Sequence, residues 1–194
     1  MGIGRGASVG DVRPTSIAVG VGAGEHREIS QVDGAVTFPR SRTFSFDVGA
    51  VYSQFWDRRR DGTLFVMGAF PYIRPRWTFG SVSIALAVSG VGFSGGEGGV
   101  LAGFADLQLG YGGRRWSVYG GAYGSACAIA DVGPIVVAVQ ARAGGEYWLI
   151  SGPQRVGVAL ELYRQLESLD VDAQMGGELR ADFVGGAAKL RIEW

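Results

Sequence analysis

A chain of 194 residues with 34 glycines, in which Lys plus Arg and Asp plus Glu both total 18, has the length of one domain and no formal net charge. That balance leaves no basic excess for nucleic-acid phosphates, and the single cysteine, Cys127, supports neither a disulfide framework nor a cysteine-based zinc site. The glycines lie inside apolar stretches without a three-residue period, which excludes collagen and a flexible low-complexity chain.

No run of about 18 apolar residues occurs, so a transmembrane helix cannot be drawn and any crossing must use strands. Met1 to Gly10 lacks the apolar core of a signal peptide, so the chain reads as a mature form with a start Met added. Residues 1–14 read as an N-terminal extension and 15–194 as one β-domain.

Period-two alternation then repeats along the chain, as half-buried strands require. Ile17, Val19, Val21 and Ala23 form the first row, and Ile29 to Phe38 gives a weaker second. Phe44, Phe46, Val48, Ala50 and Tyr52 oppose Ser45, Asp47 and Ser53. Leu64, Val66, Phe70 and Tyr72 form a fourth row, with Trp77 out of phase, as a bulge near Pro75 would leave it. From Ser81 to Ser89, Val82, Ile84, Leu86 and Val88 oppose small residues. Leu101, Ala105, Leu107, Leu109 and Tyr111 oppose Asp106 and Gln108; Trp116, Val118 and Ala122 oppose Tyr119, Tyr123 and Ser125. Val137, Val139, Ala141, Ala143 and Tyr147 oppose Gln140, Arg142 and Glu146. Val156, Val158, Leu160 and Leu162 oppose Glu161, Tyr163 and Gln165, and Ala188, Leu190, Ile192 and Trp194 oppose Lys189, Arg191 and Glu193.

Nine rows are clear, and the weaker second makes ten; the even number of an antiparallel closed barrel favours ten, with eight as the alternative. Short connections are expected around Pro39–Arg42, Arg74–Arg76, Gly112–Arg115 and Ser151–Gln154, all at one end, with longer ones such as Trp56–Gly62 and Ser168–Gly177 at the other. Tyr72, Tyr111, Trp116, Tyr147 and Trp194 fall on the apolar face beside the short turns, where an interfacial girdle belongs, and Tyr52 and Trp56 suit the opposite rim. A lipocalin-like soluble barrel would put its charge outside. Here the apolar face is almost free of charge, while the other face mixes Gly, Ala and Ser with Arg142, Glu146, Glu161, Lys189 and Arg191, which predicts a lumen charge network inside a transmembrane all-β barrel.

The closing strand, with Ala188, Leu190, Ile192 and the aromatic Trp194, resembles the C-terminal assembly signal of Gram-negative outer-membrane barrels, in which Phe is the usual last residue. The resemblance implies a bacterial outer-membrane location and insertion by the outer-membrane assembly machinery. It covers the last strand specifically and the rest as pattern.

Chemistry-bearing candidates are sparse. His26, the sole histidine, falls in the first far-end loop; outer-membrane lipid deacylases and proteases use histidines on the wall or rim, and neither constellation can be matched residue by residue. Glu146 and Glu161 could form an acid and base pair, but a network with Arg142 and Arg191 is the better expectation. Gly20, Gly22 and Gly24 lack the Lys and helix of a phosphate loop, and Cys127 reads as packing. Arg58, Arg59 and Arg60 could contact lipopolysaccharide phosphates alongside other membrane lipids. The expectation is therefore a non-enzymatic structural or interaction barrel without metal or cofactor, its protein partner unidentified. A small passive channel is the alternative, because inward Gly, Ala and Ser would leave space, and a lipid-modifying enzyme at the rim has less support.

Overall fold

The computed structural model describes residues 13–24, 27–59, 62–95, 98–129, 136–171 and 177–194, with the side chains of 55, 57–67, 93–100, 128–137, 151 and 167–181 left aside. Its elements are ten strands: β1 (Thr15–Gly24), β2 (Arg27–Pro39), β3 (Phe44–Arg59), β4 (Gly62–Phe79), β5 (Val82–Gly95), β6 (Gly98–Gly112), β7 (Trp116–Ile129), β8 (Val136–Ser151), β9 (Arg155–Val171) and β10 (Gly177–Glu193). Each strand pairs antiparallel with the next, and β1 pairs with β10, so the sheet closes.

Register fixes the shape. Pairing leads from Thr15 through Val36, Val48, Ile73, Val88, Ala105, Gly124, Val139 and Leu166 to Asp182 on β10. Thr15 itself exchanges both backbone hydrogen bonds with Trp194, twelve residues further along. A stagger of that size in a ten-stranded sheet tilts the strands by roughly 40° and keeps the barrel narrow.

Alternation sorts the side chains as the sequence requires. Leu107, Leu109, Val139, Leu160, Leu162 and Leu190 are exposed on the outer wall, whereas Asp106, Gln108, Gln140, Glu161 and Lys189 are buried within. On β10 the outward apolar row from Val184 to Ile192 lies between Trp194 and Asp182, and its length matches the ~9–11 residues with which a tilted strand crosses the hydrocarbon. At the upper edge of this band Arg164 and Asp182 form an exposed outward ion pair at 2.6 Å.

Strand β4 departs from the sequence reading. Tyr72 points inward and is 2 % exposed, so it does not belong to the girdle; Phe70 also packs inward. Ile73, Trp77 and Phe79 are the outward residues, so Trp77 is in phase without a bulge at Pro75, and Phe70 and Tyr72 of the expected apolar row lie on the lumen side instead. Arg74–Arg76 is strand rather than turn, and the connection is Gly80–Ser81, where Gly80 takes φ 61°. Two prolines, Pro71 and Pro75, accompany these arginines and give the segment the look of a loop.

Those prolines leave a mark on the wall. The β3–β4 ladder runs unbroken past both, so their missing donors lie on the β5 side. Pairing of β4 with β5 is confined to Arg76–Phe79 against Val82–Ala85 and to Ile73 with Val88; between 62–72 and 89–95 the described residues form no ladder.

At the turn end, Gly113–Arg115 and Gly152–Gln154 are short, as expected. At the other end β3 runs to Arg59 and β4 starts at Gly62, so the long Trp56–Gly62 connection is largely strand; the tips at 25–26, 60–61, 96–97, 130–135 and 172–176 lie outside the described residues.

The outward assignment has a direct test. Leu107→Arg should disfavour insertion by about 2 to 4 kcal/mol, whereas Gln154→Arg in an exposed turn should be near neutral. Folding equilibria into lipid vesicles measure both, and equal tolerance would contradict the assignment.

Candidate functional site: the charged lumen

Among the described residues the buried ionised groups are seven cations (Arg27, Arg74, Arg76, Arg142, Arg155, Lys189, Arg191) and six carboxylates (Asp33, Asp47, Asp106, Glu146, Glu161, Glu193), so the lumen is close to neutral. Charges in so confined a space persist only in pairs.

Two clusters hold most of them. In the first, Asp47 on β3 accepts from Arg74 Nε (2.9 Å) and Nη2 (2.6 Å), from Arg76 Nη2 (2.9 Å) and, at its other oxygen, from Thr37 Oγ1 (2.6 Å) on β2. In the second, Arg142 on β8 forms an ion pair with Asp106 on β6 and lies 3.8 Å from Glu161 on β9, which in turn accepts from Lys189 Nζ on β10 at 3.0 Å. Arg191 and Glu146 pair at 2.5 Å, below this second cluster. The five residues expected to form the lumen network, Arg142, Glu146, Glu161, Lys189 and Arg191, thus face one another, with Glu146 and Glu161 each held by cations rather than by one another.

Aromatic rings complete the filling, and four of them lie over a glycine of the neighbouring strand. Tyr72 on β4 lies across Gly49 on β3, where a Cβ would meet the ring at 2.7 Å, and its hydroxyl donates to Asp33 Oδ1 on β2 at 2.7 Å. Tyr119 on β7 repeats this across Gly144 on β8, also at 2.7 Å, and reaches Glu161 Oε2 on β9 at 3.2 Å. Trp148 covers Gly157 and Tyr163 covers Gly185 in the same manner, and Arg155 stacks over Trp148 at 4.2 Å. Each ring therefore ties its own strand to the next, and the tyrosines at 72 and 119 reach a third. A void of about 10 Å³ beside Gly20, Gln31, Asp33 and Lys189 has room for about one water. Four of the inward glycines that suggest open space in the sequence are thus covered by rings, whereas Gly20 lies against the Lys189 side chain and Gly121 against the backbone of Leu107 and Gln108.

Sequence reasoning does not find the clusters around Asp47 and Asp106 as network centres, although both aspartates stand on the polar side of clearly alternating rows. Arg74 and Arg76 are hidden from it by the turn-like prolines. Tyr111, Trp116, Tyr147 and Trp194 do line the turn end outside, with Tyr111 and Trp116 edge-to-face at 6.0 Å. Tyr52 is exposed outside at the far rim, and Leu190 and Ile192 face outward beside Trp194. Cys127 is half-buried on the lumen side. His26, Arg60 and the side chains of Arg58 and Arg59 lie outside the described residues. No group of three or more His, Cys, Asp or Glu able to hold a metal occurs among the described residues.

No protein-family model and no curated relative matches the chain. Among solved structures it is similar to OmpT of Vibrio cholerae, an outer membrane protein in its trimer form, at 6 % identity over 93 % of this chain and 98 % of that one, with a TM-score of 0.35. It is similar to a Pseudomonas aeruginosa FadL homologue at 11 % identity over 87 % and 68 %, TM-score 0.36, and to a mutant Rh. blastica porin at 9 % identity over 93 % and 98 %, TM-score 0.17. The expectation that the chain is not an enzyme is withdrawn: OmpT heads these similar structures, and a likeness this distant neither assigns a catalytic activity nor allows one to be excluded.

The Asp47 cluster carries a prediction. Asp47→Asn removes the carboxylate that gathers two buried guanidinium groups, and such a loss costs about 3 to 5 kcal/mol. Denaturant unfolding in detergent micelles should register that drop, while Asp182→Asn on the exposed outer pair should leave stability nearly unchanged.

Proposed function

We propose that this chain is a structural or interaction barrel of the bacterial outer membrane, its lumen sealed by paired charges and glycine-seated rings, with its far-end loops available to a partner. The observation that carries this reading is the near-neutral set of buried charges filling the lower and middle lumen. A pore would hold water there, and hydrated charges would not need such close pairing.

Several features support the location. The outer wall is an apolar band ringed by aromatics, and exposed Arg40, Arg42, Arg114 and Arg115 stand at the turn end, Arg40 with its guanidinium 5.1 Å from the Phe46 ring. Cations beside interfacial rings suit lipid headgroups. The outward row of Leu190, Ile192 and Trp194 supports insertion by the assembly machinery, and contacts with lipopolysaccharide through Arg58, Arg59 and Arg60 belong to the same proposal.

Conductance of the purified protein in a planar lipid bilayer tests the sealed lumen. The expected result is no steady ohmic current, with currents appearing only when Arg142→Ala breaks the central cluster. Steady conductance of the unaltered protein would instead establish the small passive channel.

A further inference from the structure

The lumen is not charged throughout. Ala35, Val51, Tyr72, Ala87 and Phe104 form a buried apolar cluster on its β2–β6 side, with Phe70 and Tyr123 packed against it. Phe70 meets Phe104 edge-on at 6.2 Å, and Phe104 lies 5.7 Å from Tyr123. Towards the far end this cluster gives way to half-buried lumen-side residues, among them Phe70, Val91, Ala102 and Tyr123.

Beside these residues lies the longest gap in the ladder among the described residues; the β8–β9 ladder has only a local register shift between Trp148 and Ile150. Pro71 and Pro75 remove two donors that β4 would offer β5, and from Tyr72 towards the far end the two strands carry no ladder among those residues. The residues on the outer side of the seam, Ala69 and Gly92, are small and exposed, and Ile73 and Val88 below them belong to the lipid-facing band. Backbone without partners is costly in hydrocarbon and is tolerated where it lines a cavity. The stretch without a ladder thus lies between the lipid-facing residues Ala69, Ile73, Val88 and Gly92 on one side and the apolar part of the lumen on the other.

We infer that the β4–β5 seam is a lateral portal through which the acyl chain of a membrane amphiphile enters the upper lumen and rests on the Phe70, Phe104 and Tyr123 rings. The class of ligand follows from what borders its path. A polar solute would have no reason to approach from the lipid side, and the charged layer beneath the rings turns an apolar chain back, so the site holds its ligand without passing it through. The inference goes beyond the sealed-barrel reading, since a conducting lumen would leave this test unaffected.

The probe is cis-parinaric acid, a fluorescent fatty acid, added to the protein in lipid nanodiscs and, in parallel, to nanodiscs without protein. Saturable binding in excess of that to the empty nanodiscs is expected, and Phe70→Asp should weaken it about tenfold or more by placing a charge against the chain. Pro71→Val with Pro75→Val supplies the missing donors. It should protect the amides of 89–95 from hydrogen exchange and slow association roughly fivefold or more, with a smaller effect on affinity. If those amides stay unprotected, Ala69→Cys with Gly92→Cys in a Cys127→Ser background closes the seam by oxidation, and the reduced form serves as its control. Absence of saturable binding, or binding indifferent to Phe70→Asp, overturns the site. Association unchanged with the seam closed overturns the lateral route.

Discussion

Closure of the backbone ladder is the constraint from which the rest of this structure follows. In hydrocarbon an unpaired amide has no water to turn to, so the strands can cross only if each finds a neighbour on both sides, and the first must return to the last. The reciprocal bonds between Thr15 and Trp194 and the β1–β10 ladder complete that circle. Once it is closed, the period of two leaves each side chain only two destinations, lipid or lumen, and a narrow barrel leaves little room in the second.

The inner face answers that shortage of space in two ways. Carboxylates and guanidinium groups share oxygens and span strands, as at Asp47 and Glu161, so that buried charge is compensated locally. Large rings lie flat across glycines on the adjacent strand, so the ring consumes the volume that the glycine vacates, and Tyr72 and Tyr119 end on carboxylates two strands away. Gly49, Gly144, Gly157 and Gly185 are thereby explained by close packing in the interior. The β4–β5 seam stands apart, because its prolines suspend the ladder at the height where the lumen lining turns apolar.

Much of this is legible in the sequence. Strand number, the outward rows and the inward positions of Arg142, Glu146, Glu161, Lys189 and Arg191 follow from alternation, which operates residue by residue and needs no tertiary knowledge. The β4 segment is not legible, because its outward residues include Pro71 and Pro75, its inward residues include Phe70 and Tyr72, and polarity thus runs against direction. Proline ordinarily marks a turn, and here it sits within a strand because only one of its two neighbours requires a donor. Pairing is also beyond reach: nothing local says that Asp47 would gather Arg74 and Arg76, or that Gly49 would seat Tyr72, since both depend on register between strands.

The central claim is that the closed ladder encloses a filled, solvent-excluding lumen, and the accessibility of an inward methyl site tests it most directly. Ala87 is 0 % exposed and faces the lumen. With Cys127 replaced by Ser and Ala87 by Cys, the folded protein in vesicles should resist a water-soluble maleimide that labels the unfolded chain at once. Labelling of the folded barrel at a rate comparable to the unfolded control would mean that water fills the lumen, and would contradict the account.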